Sequence, residues 1–137
     1  MKRRRGKRSI LKASRSHFPS EGWKMSWSEY HDRSMELASQ AQVLMWQGDL
    51  EAAKPYYVMA AEAEVEALMA VEPDKLRTLG ITVVSGVALW FKAQEFSKAK
   101  LLAYEWLASG RLPGFAIVQV EEILREILVS EAAAVAV

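Results

Sequence analysis

WQGDLEAAKPYYVMAAEAE, residues 46–64, sets a proline inside an alanine-rich run directly after a Gly-Asp turn. Gly48 stops one helix and Asp49 caps the next, so the spacing predicts a helix over residues 50–71, ended by Pro73. Pro55 stands about a turn and a half inside that helix. Its ring removes one backbone hydrogen bond. So close to the helix start, where the first N–H groups lack intrahelical partners anyway, the expected effect is a tilt, not a break.

Working outward, residues 26–47 read as a preceding helix. Ser26 and Ser28 are N-cap candidates, Glu29 completes a capping box with Ser26, and Tyr30, Ser34, Leu37, Ala41 and Leu44 form one buried stripe. Asp74 is expected to cap a third helix, 75–92, with Leu76, Leu79, Val83, Val87 and Trp90 on one face. A fourth, 95–109, buries Phe96, Ala99, Leu102, Ala103 and Trp106 and stops at Gly110. After Arg-Leu-Pro-Gly a fifth runs over 115–130 on Ile117, Val120, Ile123, Leu124, Ile127 and Leu128. The end of the chain, EAAAVAV, has helix formers but no polar face, and residues 132–137 are expected to fray. No segment shows the two-residue alternation of a strand, so the expected class is all-α with about five helices.

The opening stretch resembles the turn and second helix of a tetratricopeptide repeat (TPR), with Ala53, Tyr57 and Ala60 at its small, aromatic and small sites. Leu37, Ala41 and Leu44 fit the first helix of the same repeat. A fainter second copy lies in AQEFSKAKLLAYEWLA: Phe96 falls at the turn, Ala99 and Ala103 follow, and Trp106 stands where a small residue is usual. Upstream of it, Val83 and Trp90 fit, Gly86 and Val87 stand near the small-residue site, and Gly80 offers another close approach. Ala53 and Ala99 are 46 residues apart, against a family period of about 34, which implies helices one or two turns longer than the norm. The resemblance implies antiparallel hairpins in a right-handed array over residues 25–131, closed by a C-terminal capping helix.

The chain of 137 residues is long enough for one domain with its own core. It has no cysteine, which excludes disulfides, thiolate metal sites and cysteine nucleophiles. Its longest apolar stretch, residues 81–91, is far short of the ~20 residues of a membrane span, and a soluble, cytoplasmic protein is expected. The net charge of +1 hides an asymmetry. Residues 1–24 carry nine Lys and Arg against Glu21, a net +8, and the other 113 residues carry nine against sixteen, a net −7. The basic arm lacks a helical or strand period and is expected to be disordered. Arg3, Arg4, Arg5, Lys7 and Arg8 are its candidates for phosphate contact, although no aromatics are interleaved to stack bases.

Catalytic patterns are sparse. His31 with Glu29, Asp32 and Glu36 can be drawn as a metal cluster, but a solvated first turn favoured by the helix dipole is the simpler reading. Glu62, Glu64 and Glu66 alternate by two and read as a polar face. No phosphate-binding glycine loop or nucleophile elbow occurs, so no enzyme, metal or cofactor is expected. In arrays of the family resembled here, the first helices of successive repeats line a concave groove. The resemblance assigns to it Met35, Ala38, Gln42, Met45 and Trp46 from one repeat and Ile81, Val84, Ala88 and Phe91 from the next. The family's sites for clamping a carboxylate hold Ala38, Gln42, Ile81 and Ser85 here, which argues against capture of an acidic tail. The expectation is a non-enzymatic adaptor that binds a protein partner, or itself, through this apolar face. Two alternatives stand beside it: the same side chains form core, or the chain is a nucleic-acid-associated assembly protein acting through its arm.

Overall fold

The computed structural model describes residues 25–136, which form five helices: α1 (Trp27–Trp46), α2 (Leu50–Met69), α3 (Leu76–Lys92), α4 (Phe96–Ala108) and α5 (Gly114–Ala136). Among the described residues there is no strand, and the all-α class holds. The basic arm, including Arg3, Arg4, Arg5, Lys7 and Arg8, lies outside the described residues.

Local chemistry sets the first boundaries. The Ser26 hydroxyl accepts from the Glu29 N–H at 3.2 Å while the Glu29 carboxylate accepts from the Ser26 N–H at 2.8 Å, the reciprocal capping box. At the other end of α1, Gly48 takes φ +80°, a left-handed conformation that glycine adopts without a Cβ penalty. There Gly48 N–H donates to Met45 O and Asp49 N–H to Leu44 O, both at 2.9 Å, and the Asp49 carboxylate accepts from Ala52 N–H at 3.1 Å to open α2. The same turn recurs between α3 and α4. Gln94 takes φ +61°, its N–H donates to Phe91 O at 2.9 Å, and Glu95 N–H donates to Trp90 O at 3.0 Å. Residues 48 and 94 are 46 apart, the spacing of Ala53 and Ala99. Two hairpins thus share one turn geometry despite different turn sequences.

α2 continues through Pro55, which lies on its exposed side. Two expected boundaries need correction. Asp74 does not cap α3: Pro73 and Asp74 are the central residues of a turn closed by Lys75 N–H to Glu72 O at 3.0 Å, and α3 starts at Leu76 with Lys75 at its N-cap and no side-chain cap bond. The expected end of the last helix near Ser130 is also superseded. α5 runs to Ala136, carried by its alanines and by an ion pair from Lys100 Nζ of α4 to Glu131 Oε1 at 2.7 Å.

α2 packs against α1 and α3, and α3 also packs against α4 and α5, which pack on each other. Small residues permit these approaches: Ala41, Ala53, Ala60, Ala61, Ala67, Ala99 and Ala103 are fully buried. Two α3 glycines do the same. A Cβ at Gly80 would sit 2.8 Å from Pro113 Cγ and 3.0 Å from Ala116 Cβ, so the start of α5 rests on bare backbone. At Gly86 the nearest atom would be Leu102 Cδ2 of α4, at 3.1 Å. Val83, Val87, Val120 and Ile127 are wholly enclosed around this centre, each side chain contributing about 1.5–3 kcal/mol by burial.

Candidate functional site

Two features stand apart from the apolar core: the rows of side chains assigned to a groove, and a buried polar cluster. On α1, Met35, Gln42 and Trp46 follow at seven and four residues, sharing one side of the helix, with Ala38 and Met45 beside them. Met35 and Met45 are exposed, and Ala38 and Gln42 are half-buried. Trp46 is 78% exposed, far more than a side chain committed to packing. On α3, Ile81, Val84, Ala88 and Phe91 line the side opposite the buried Thr82, Gly86 and Leu89, Ile81 exposed and the others half-buried. None of these nine is fully buried, although Ala38, Val84 and Phe91 pack against the edge of the core.

The two rows are not closely joined. α2 packs against both α1 and α3, which have no comparable contact with each other. Gln42 is drawn toward α2, its Oε1 accepting from the Tyr57 hydroxyl at 3.4 Å; burial raises the pKa of that hydroxyl above its ordinary value. The Phe91 ring leans on Phe96 of α4, with centroids 6.2 Å apart. Of the nine residues assigned to the groove, Trp46 is the most exposed.

The polar cluster was not legible as such. The Glu64 carboxylate is 0% exposed, and His31 Nδ1 lies 3.1 Å from both of its oxygens. The Trp27 indole stacks on His31, centroids 4.8 Å apart and planes 8° from parallel, and its Nε1–H donates to Thr82 Oγ1 of α3 at 2.9 Å. Thr82 in turn donates to Thr78 O at 2.6 Å. Ser34, also buried, donates to Ala60 O at 2.9 Å. Three helices are thereby linked by side chains that fix their relative register.

The reading of Glu62, Glu64 and Glu66 as one polar face is corrected. Glu62 and Glu66 are exposed, but Glu64 lies in the series Ala53, Tyr57, Ala60, Glu64, Ala67, whose alternate spacing of four and three is the buried stripe of α2. That spacing was the available signal. Likewise His31 does not join Glu29, which is engaged at Ser26; it turns inward to a carboxylate 33 residues away. Among the described residues no group of three or more His, Asp or Glu is arranged to hold a metal ion.

A carboxylate holding an imidazole is a pairing that also serves acid–base catalysis. Here the buried hydroxyl about one turn on from His31, that of Ser34, is committed to a carbonyl, and stacking on Trp27 covers one face of the ring. Packing register is the better account of the cluster. A cleft of ≈ 670 Å³ beside Trp27 is lined by Ser28, Val71, Glu72, Lys75 and Thr78 among others, and one of ≈ 470 Å³ lies among Tyr30, Arg33, Met59 and Glu62. Neither is lined by any of the nine residues assigned to the groove. The chain matches no protein-family model, no curated protein and no solved structure.

Proposed function

We propose that this protein is a non-enzymatic, TPR-like helical adaptor that binds a protein partner through the apolar rows of α1 and α3. The observation that carries the reading is Trp46, 78% exposed at the end of α1, with exposed Met35 and Met45 on the same helix and Ile81 across on α3. Aromatic anchors commonly dominate partner binding, and methionines adapt to varied surfaces. The repeated turn at residues 48 and 94 supports two related hairpins, and α5, packed on α3 and α4, takes the place of the capping helix.

Affinity capture with the whole chain, quantified against Trp46→Ala, tests this. Loss of the indole should weaken association by about 2 kcal/mol or more while thermal melts stay with the parent. Equal capture of the same partners by both proteins would sink the reading. Phe91→Ala is the less clean probe, because its ring also packs on Phe96.

The second reading, nucleic-acid association, rests on the split of +8 in residues 1–24 against −7 in the rest. Salt-sensitive retention of nucleic acid, lost when those residues are removed, would favour it.

A further inference from the structure

The chain outside the described residues joins Met25 at the edge of a cleft. That cleft, ≈ 470 Å³, opens between the start of α1 and the second half of α2. Its floor is apolar: Met25 and Tyr30 are half-buried, Ala63 is buried, and Met59 is 38% exposed. Its rim carries Glu62 and Glu66, both exposed. These carboxylates stand four residues apart on one helix, a spacing at which like charges repel, and neither pairs with a described residue. Arg33 lines the same cleft yet bridges to neither.

We propose that residues 12–24 of the same chain dock in this cleft, with Trp23 filling it and Lys12, Arg15 and Lys24 meeting its acidic rim. Trp23 stands two residues before Met25, so its Cα lies within about 7 Å of a residue that already lines the site. An apolar floor with a polar rim suits an indole, whose body is apolar and whose N–H is polar. The charges are complementary: the segment carries three Lys and Arg against Glu21 alone, and the cleft carries two acids against Arg33. The other cleft beside the junction holds Glu72 and Lys75, one charge of each sign, and offers a cationic segment no such preference. Covalent attachment completes the case. A short linker holds a segment at an effective concentration on the order of millimolar, so a contact too weak to retain a free peptide is populated here. The site is separate from the rows on α1 and α3, and Arg3, Arg4, Arg5, Lys7 and Arg8 precede the segment, so the docking depends on neither functional reading.

Fluorine NMR of the whole chain, labelled with 5-fluorotryptophan, tests the docking. Each indole gives its own signal, assigned by Trp23→Phe and its counterparts, and a neutral gadolinium chelate in solution broadens those that water reaches. Trp46, 78% exposed, and Trp90, 7% exposed, serve as internal standards. Trp23 should broaden several-fold less than Trp46. Glu62→Lys together with Glu66→Lys should raise it to the level of Trp46, and adding Lys12→Glu, Arg15→Glu and Lys24→Glu should restore the protection. Dilution should change nothing. A parent Trp23 as broadened as Trp46, protection that survives the charge reversal, a full swap that fails to restore it, or protection that fades on dilution, the mark of a segment from a second copy, would each overturn the proposal. Glu62 and Glu66 are exposed, so melts of the reversed protein should match the parent. Should it melt early, Lys12→Glu, Arg15→Glu and Lys24→Glu alone take its place: lost protection then supports the docking and kept protection overturns it.

Discussion

Gly80→Ala and Gly86→Ala make the same chemical change on the same helix, and the structure predicts opposite results. Both gain helix propensity, about 1 kcal/mol from lost backbone freedom. At Gly80 the new methyl meets Pro113 Cγ at 2.8 Å and Ala116 Cβ at 3.0 Å. A pyrrolidine ring and a backbone-fixed methyl cannot rotate away, so α5 must move as a unit. Overpacking of this kind costs about 1–3 kcal/mol, and because several rigid atoms are met the upper part of that range applies, leaving a net loss of about 1–2 kcal/mol after the propensity gain. At Gly86 the methyl meets only Leu102 Cδ2, at 3.1 Å, the far end of a side chain with rotamers to spare. There the propensity gain should roughly cancel the adjustment or exceed it, for a change between 0 and about +1 kcal/mol. Urea denaturation followed by circular dichroism separates them: with a slope of about 1–3 kcal/mol/M, Gly80→Ala should lower the midpoint by roughly 0.5–1 M and Gly86→Ala should hold or raise it. If Gly80→Ala is as stable as Gly86→Ala, the seating of α5 on α3 backbone is wrong.

Three further changes probe other joints. His31→Ala strips the buried Glu64 carboxylate of its imidazole and should cost about 3 kcal/mol, whereas Glu64→Gln keeps an acceptor for Nδ1–H and should cost about 1 kcal/mol; equal losses in thermal melts would show that the pair is not what holds α1 to α2. Gln94→Gly relieves a left-handed non-glycine residue and should stabilise by about 1 kcal/mol, and a loss instead would mean the side chain has a duty beyond the turn. Pro55→Ala should restore the hydrogen bond to Glu51 O while returning freedom to the unfolded chain, so its urea-derived stability should equal or slightly exceed the parent's, and a marked loss would give the proline a shaping role.

What the sequence disclosed and what it concealed divide by range. Ser26 with Glu29, and Asp49 with Ala52, interact over three residues, and both were readable because a cap is a local bargain between one side chain and one turn of backbone. Asp74 misled because a proline beside it diverted the residue into a turn. Gln94 gave no sign of its left-handed conformation, since the α3–α4 turn repeats the α1–α2 turn in backbone while replacing the glycine that marks it. The His31–Glu64 pair spans 33 residues, and no local rule joins such partners. The apolar rows were assigned by resemblance; their exposure is a property of how the helices pack, which spacing alone does not fix.

The order in which the helices touch has a kinetic consequence. Apart from α5 reaching back to α3, and the single Trp27–Thr82 hydrogen bond from α1 to α3, the described helices pack with their neighbours along the chain. Few contacts therefore require distant segments to find one another, and little loop-closure entropy precedes the first gains in packing. Proteins dominated by such local contacts fold in microseconds to milliseconds, and stopped-flow refolding of this chain should be near or beyond its dead time. The docking of α5 onto Gly80 should form late, after the transition state, and it is there that a refolding rate should respond to mutation least and an unfolding rate most.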